Sequence, residues 1–233
     1  MDANIITSEA VSIRLERIRE RIEASGGDPS VVTVVAVTKG FTRLAVDAAL
    51  DAGLDDVGEN YAQELLSKAG GSNGCRGGSS PRWHFLGAVQ RNKVRGLAPV
   101  VDCWQTVCRL AEGEQIAARV PGARVLVEID ASERAGRNGC RPHEVGQLVS
   151  ALSDLDLDIA GVMTVAPRGV DPARRAFRQV RRLADDLGLR ERSMGMSDDL
   201  ELAVSEGSTM VRIGRALFGE RPPRRREAPG ASL

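Results

Sequence analysis

A chain of 233 residues with 32 basic and 32 acidic side chains has no overall field to draw it to nucleic acid or an anionic membrane, so a specific small ligand is the better expectation. The four cysteines, Cys75, Cys103, Cys108 and Cys140, form no C-x-x-C pair, and the two histidines, His84 and His143, stand far apart, which argues against a zinc site or a disulfide framework. Residues 1–10 lack both a basic start and an apolar core, and no later run reaches membrane-spanning length, so the expected setting is a reducing cytoplasm.

Val11, Leu15, Ile18 and Ile22 recur at helical spacing, predicting an opening amphipathic helix over about 8–25 that Gly26-Gly27 ends. The next stretch, 31–40, holds five valines and two threonines in its first nine residues and is apolar on both faces, as a strand inside a parallel sheet should be. It ends in Lys39. A barrel of alternating strands and helices keeps its active site at that carboxyl edge, where partial desolvation lowers an ammonium pKa and a neutral amine can form an imine with an aldehyde. The competing reading is a strand-end lysine reaching into water.

A helix over 44–52 follows, then a short strand over 55–58 that delivers Glu59 and Asn60, then a helix over 61–69. Residues 70–80 shift to glycine, serine and asparagine, the composition of a mobile surface loop. Further strands are predicted at 82–87, 100–103, 123–129, 157–162, 192–194 and 210–213. Helices are predicted from Gln90, over 106–120, from Pro142, around Ala173 to Ala184, and over 198–204. Eight strands alternating with helices close a barrel as readily as they fill an open sheet, and no G-x-G-x-x-G follows the first strand to support a dinucleotide fold. A single (β/α)8 TIM barrel over residues 1–219 is the fold predicted. The proline- and arginine-rich tail, 220–233, reads as solvated disorder.

Several strand ends carry groups with no evident packing role: Lys39, Asn60, Arg212, and Ser197 with Gly214 in late loops. Barrels commonly hold phosphate with the loops after their seventh and eighth strands, and an imine-forming lysine opposite an anion cradle asks for an aldehyde bearing a phosphate. Pyridoxal 5′-phosphate fits that description.

The residues Ala36-Val37-Thr38-Lys39, Gly58-Glu59-Asn60, His84-Phe85-Leu86-Gly87 with Gln90 and Asn92-Lys93, Ser193-Met194-Gly195-Met196-Ser197, and Val211-Arg212-Ile213-Gly214 with Phe218-Gly219 form an ordered set. Together, from residue 31 to 219, they resemble the pyridoxal phosphate homeostasis proteins. The resemblance implies a barrel similar to the amino-terminal domain of alanine racemase, with the cofactor held as an internal aldimine on Lys39 and Asn60 beside its ring. It further implies Arg212 near the pyridine nitrogen and the phosphate held by Ser197 and the backbone N–H groups of Gly214 and Arg215. His84 and Met194 would lie in the pocket wall.

Plainer roles stand beside these. Asn60 or Ser197 could cap the helix that follows, Glu59 could form a salt bridge inside the barrel mouth, His84 could be a satisfied core histidine, and Gln90 with Asn92-Lys93 could cap and solvate their helix. Two departures from the family pattern are present: Arg215 replaces a usual serine or threonine, and no proline follows Lys39-Gly40.

The resemblance favours a carrier over a catalyst. Pyridoxal phosphate enzymes use a protonated ring as an electron sink, whereas an arginine only donates and leaves the ring nitrogen unprotonated. A racemase of this type also takes a second base, a tyrosine, from a carboxyl-terminal β domain, and the only tyrosine here is Tyr61. The expected function is therefore buffering of pyridoxal phosphate and its supply to apo-enzymes by a monomer or weak dimer, without substantial catalysis. A weak amino-acid racemase-like enzyme and a cofactor-free aldolase-type barrel are the alternatives.

Overall fold

The computed structural model describes residues 6–70, 80–132 and 136–221. Most of the expected glycine-rich loop, with Cys75, and the tail from residue 222 lie outside the described residues. Eight parallel strands close on themselves in sequence order: β1 (Thr33–Val37), β2 (Asp56–Glu59), β3 (Arg82–Phe85), β4 (Cys103–Val107), β5 (Arg124–Glu128), β6 (Asp158–Met163), β7 (Glu191–Ser193) and β8 (Met210–Ile213). The seam closes by β8 pairing β1, from Thr33 opposite Met210 to Ala36 opposite Ile213. The (β/α)8 barrel expected from the sequence is the fold observed.

Helices alternate with the strands: α1 (Ser8–Ala24) precedes the barrel, and α2 (Arg43–Asp51), α3 (Ala62–Ala69), α4 (Arg91–Leu97), α5 (Leu110–Ala117), α6 (Val145–Ser153), α7 (Val170–Asp186), α8 (Leu200–Ser205) and α9 (Arg215–Phe218) follow successive strands. Thr7 caps α1, its hydroxyl accepting from the Ala10 N–H at 3.2 Å. The apolar face read from the sequence, Val11, Leu15, Ile18 and Ile22, is fully buried with Ala45, Ala49, Leu200 and Phe218, so α1 covers the outside of the β8–β1 seam. Burying each of these large side chains stabilises the fold by about 1.5–3 kcal/mol.

One strand differs from expectation. The fourth was predicted at 100–103 and forms at Cys103–Val107, while the following helix starts at Leu110 rather than 106. Gln105 and Thr106 masked it, because a polar pair in a buried strand breaks the apolar run. Both are satisfied inside: Thr106 donates to the Gly87 carbonyl at 2.5 Å, and Gln105 accepts from the Ser193 hydroxyl at 2.7 Å.

The barrel interior is a layered core. Val35, Cys103, Leu126, Ala160, Met163 and Met210 fill it with apolar volume, and His84, Gln105 and Ser193 cross it with a hydrogen-bonded row. Gly161 lets β6 approach β7, since a Cβ there would stand 2.0 Å from the Glu191 carbonyl oxygen. Among the described residues, no helix is long and apolar enough to cross a membrane.

Candidate functional site

Side chains alternate across a strand, so the face of β1 that turns Val35 and Val37 inward carries Lys39 at the same mouth two residues later. Gly40 turns the chain at once, with φ +77°. Lys39 is half-buried there. Burial lowers its ammonium pKa, the positive charges of Arg221 and Arg212 lower it further, and Glu59 opposes them.

The backbone on either side of Lys39 is pinned. Lys68, buried on the inner face of α3, donates to the Thr38 carbonyl at 2.8 Å and to Glu59 Oε2 at 2.5 Å. Glu64 accepts from the Gly40 N–H at 2.8 Å, and Lys68 Nζ stands 3.3 Å from the same carboxylate. Glu59 thus takes the salt-bridge role considered for it, and its other oxygen accepts from the Asn60 N–H at 2.8 Å.

A cleft of about 570 Å³ opens at this mouth, large enough for a cofactor-sized ligand. Asn60, Ser197, Arg212, Gly214 and Arg215 all line it. Asn60 does not cap α3, whose first position follows Tyr61; its Nδ2 donates to the Leu86 carbonyl at 3.4 Å, and its buried Oδ1 has no hydrogen-bond partner among the described residues. An orphaned acceptor in a cleft fits a ligand that brings a donor.

Arg212 is buried and fixed. Its guanidinium donates to the Ser193 carbonyl and hydroxyl, each at 2.7 Å, and to the Thr164 carbonyl at 2.7 Å. Burial brings its pKa down to about 10, against the pull of Asp199 and Glu128, so it remains a cation at neutral pH. Glu128 also lines the cleft, with its carboxyl pKa raised first by burial although Asn138 hydrogen-bonds it.

At the anion-cradle end, Ser197 Oγ accepts from the Ala216 N–H at 3.3 Å, which leaves its hydroxyl proton available to a ligand oxygen. A Cβ at Gly214 would press on the Val37 carbonyl oxygen at 3.1 Å, so glycine keeps the turn tight. The departing Arg215 is exposed and pairs its guanidinium with Asp198 at the rim.

Two expected wall residues sit elsewhere. Ser193 faces the barrel interior, so its neighbour Met194 faces outward and packs, fully buried, in the core between strands and helices. His84 shares the strand face of Leu86, which lines the cleft, and lies one layer deeper; Gln105 donates to its Nδ1 at 2.7 Å and its Nε2 stands 2.9 Å from Asp56. It is the satisfied core histidine of the plainer reading. Gln90, Asn92 and Lys93 are exposed around the first turn of α4.

Lys68, Glu128, Asp199 and Arg221 were not singled out from the sequence. Lys68 had a signal, since it follows Leu65 by three residues on the inward stripe of α3 and Glu64 by four. Glu128 had one too: it continues the interior face of Leu126 at a strand's carboxyl end.

Comparison with known proteins accords with this arrangement. Residues 6–222 match the family model described as alanine racemase, N-terminal domain. The chain is 40% identical over 215 residues to the pyridoxal phosphate homeostasis protein of Pseudomonas aeruginosa, covering 88% of this chain and 91% of that one. It is 35% identical over 228 residues to the Escherichia coli K12 protein of the same name, covering 91% and 97%. The PipY protein of Synechococcus elongatus PCC7942, solved with pyridoxal phosphate bound, superposes with a TM-score of 0.78 at 29% identity over 90% of this chain and all of that one. Alanine racemase from Corynebacterium glutamicum shares the fold at a TM-score of 0.70 and 18% identity, over 95% of this chain and 64% of the racemase. The chain therefore belongs to the pyridoxal phosphate homeostasis proteins, whose barrel is that of the alanine racemase N-terminal domain.

Proposed function

We propose that this protein binds pyridoxal 5′-phosphate as a Schiff base on Lys39 and serves intracellular homeostasis of that cofactor, buffering the free aldehyde and supplying apo-enzymes without substantial catalysis. The observation that carries the reading is the half-buried Lys39: it does not itself line the cleft, but it follows the lining Val37 by two residues on the same strand face, and the lining cations Arg221 and Arg212 add to burial in lowering its pKa beside Asn60, Ser197, Gly214 and Arg215. The names of its relatives and the cofactor in PipY support it.

Bound pyridoxal phosphate supplies an aldehyde for the lysine and a ring that can accept electrons. In this reading Lys39 would be the nucleophile, and Asn60 and Arg212, which line the cleft, would hold the ring portion of the cofactor. Ser197 and the backbone N–H groups of Gly214 and Arg215 hold the phosphate. The fit rests on two features of this chain: the orphaned Asn60 Oδ1, and the Gly214 turn, which a Cβ would crowd.

Two features support carriage over turnover: Arg212, an arrangement that alanine racemase also tolerates, and, more strongly, the want of a tyrosine base among the described residues that line the cleft. Held by the three hydrogen bonds it donates, and always charged, Arg212 cannot serve as the carboxylate that keeps a pyridinium protonated. The one tyrosine, Tyr61, stands half-exposed before α3 and does not line the cleft.

The test is the visible spectrum of the purified protein, followed by borohydride reduction and peptide mass analysis. Wild type is expected to be yellow with the reduced adduct on Lys39, and Lys39→Ala to be folded and colourless. A coloured, reducible Lys39→Ala protein, or a colourless wild type after loading, overturns the reading. Deuterium exchange at an amino-acid α-carbon would favour a weak racemase-like enzyme instead.

A further inference from the structure

Helix α7 carries five arginines, and their neighbours divide them. Arg174 and Arg178 reach Glu206 at 3.4 and 2.9 Å, and Arg181 stands 3.6 Å from Asp185. Arg175 and Arg182 are exposed and have no ion-pair or hydrogen-bond partner among the described residues. Seven residues apart, with Gln179 between them, they share one helix face. Together with Arg168, exposed and equally without a partner, they line an open groove of about 1140 Å³. Among the described residues that line it, the one acid, Asp130, is buried and already engaged by Arg141 at 3.0 Å.

This is a local excess of positive charge on a chain whose formal charge is zero. Arg175 and Arg182 stand roughly 10 Å apart along the helix, too far to converge on one phosphate or carboxylate. In an extended peptide the side chains of one face recur about every 7 Å, so alternate acidic residues offer carboxylates at about 7 and 13 Å, separations that two flexible arginines about 10 Å apart can bracket. No aromatic residue is among the described residues that line the groove, so they offer no ring on which nucleic-acid bases could stack. Pro167 and Pro172 give it a stiff wall.

The groove also borders the mouth of the barrel. Pro167 and Arg168 are shared with a neighbouring hollow, which in turn shares Met196 and Asp198 with the cleft described above.

We infer that this groove docks an acidic, extended segment of a partner protein through Arg168, Arg175 and Arg182. The inference goes beyond the cofactor reading and stands without it, since it rests on charge and spacing outside the cleft.

The experiment uses the full chain and a fluorescein-labelled twelve-residue peptide of alternating glutamate and glycine, with binding read by fluorescence anisotropy at low salt. Wild type is expected to bind. Arg175→Glu/Arg182→Glu should weaken binding at least tenfold, while Arg17→Glu/Arg95→Glu, an equal charge change on remote exposed positions, should leave it within twofold. Circular dichroism and cofactor absorbance on the same samples report the fold and the cofactor reading separately, and Arg175→Gln/Arg182→Gln replaces the first variant if that one misfolds. No binding to wild type, or equal loss in the remote variant, overturns the inference. So does tighter binding of a twelve-nucleotide oligo-dT that is lost with the same arginines, or a wild-type dimer that those substitutions dissociate.

Discussion

Lys68 Nζ lies 2.5 Å from Glu59 Oε2, and both side chains are essentially removed from solvent. The pair joins α3 to the end of β2, and the same ammonium holds the Thr38 carbonyl beside Lys39. Removing one partner of a buried pair leaves the other charge unpaired, which commonly costs about 3–5 kcal/mol. Lys68→Met is therefore expected to lower the urea midpoint by an amount equivalent to about 3–5 kcal/mol, with the slope unchanged. Glu59→Gln/Lys68→Met should recover a large part of that loss, because no uncompensated charge remains. A single variant as stable as wild type would show that the pair does not hold this corner.

The reactivity of Lys39 follows from what surrounds it. Burial lowers its pKa, and the cations of Arg221 and Arg212 lower it further, so more of the amine is neutral at a given pH than for a solvated lysine. Removing one like charge raises the pKa again. Arg221→Ala is expected to move the midpoint of the pH–rate profile for aldehyde capture upward. Stopped-flow absorbance with pyridoxal, which has no phosphate for Arg221 to contact, measures this directly. An unchanged or lower midpoint would remove Arg221 as a cause.

Much of this was legible because the signals were local. The valine-rich β1, the period of Val11, Leu15, Ile18 and Ile22, and Gly40 beyond Lys39 each declare their own structure. Parts that depend on distant partners were not. Gln105 disguised β4 because its satisfaction comes from His84 and Ser193, 21 and 88 residues away. Met194 was expected in the pocket since its motif neighbours belong there, but strand alternation turns it outward once Ser193 faces in. Lys68 went unremarked because its partners, the Thr38 carbonyl and Glu59, belong to other elements.

Asp56 gives the fold an acid-sensitive joint. Burial alone would raise its carboxyl pKa, but hydrogen bonds from His84 and Arg82 outweigh that and bring it down to about 2. A carboxyl depressed in the folded state contributes stability above its unfolded pKa, near 4, and loses it as pH falls through the folded value. The stability that this group contributes should disappear between about pH 4 and pH 2. Asp56→Asn is expected to show a shallower stability loss over that window in urea titrations. An equal slope in the two proteins would assign the acid sensitivity elsewhere.

Gly87 tests how closely the second and third strand ends must approach. A Cβ there would stand 1.9 Å from the Asn60 carbonyl oxygen and 2.9 Å from its carbonyl carbon, backbone atoms that cannot swing aside as a side chain can. The Thr106 hydroxyl also holds the Gly87 carbonyl at 2.5 Å, so Gly87 cannot retreat freely. Gly87→Ala must displace the turn that carries Asn60, a residue lining the cleft. Overpacking of this kind costs about 1–3 kcal/mol in stability. The larger effect is expected on the cofactor, with at least tenfold weaker binding of pyridoxal phosphate by absorbance titration while the Lys39 adduct still forms at saturation. Gly53→Ala offers the contrast: its φ of +81° carries strain, but a Cβ there meets no atom within 4 Å. That substitution should cost stability and leave cofactor affinity unchanged. Equal affinity in the two variants would show that the position of Asn60 does not govern the site.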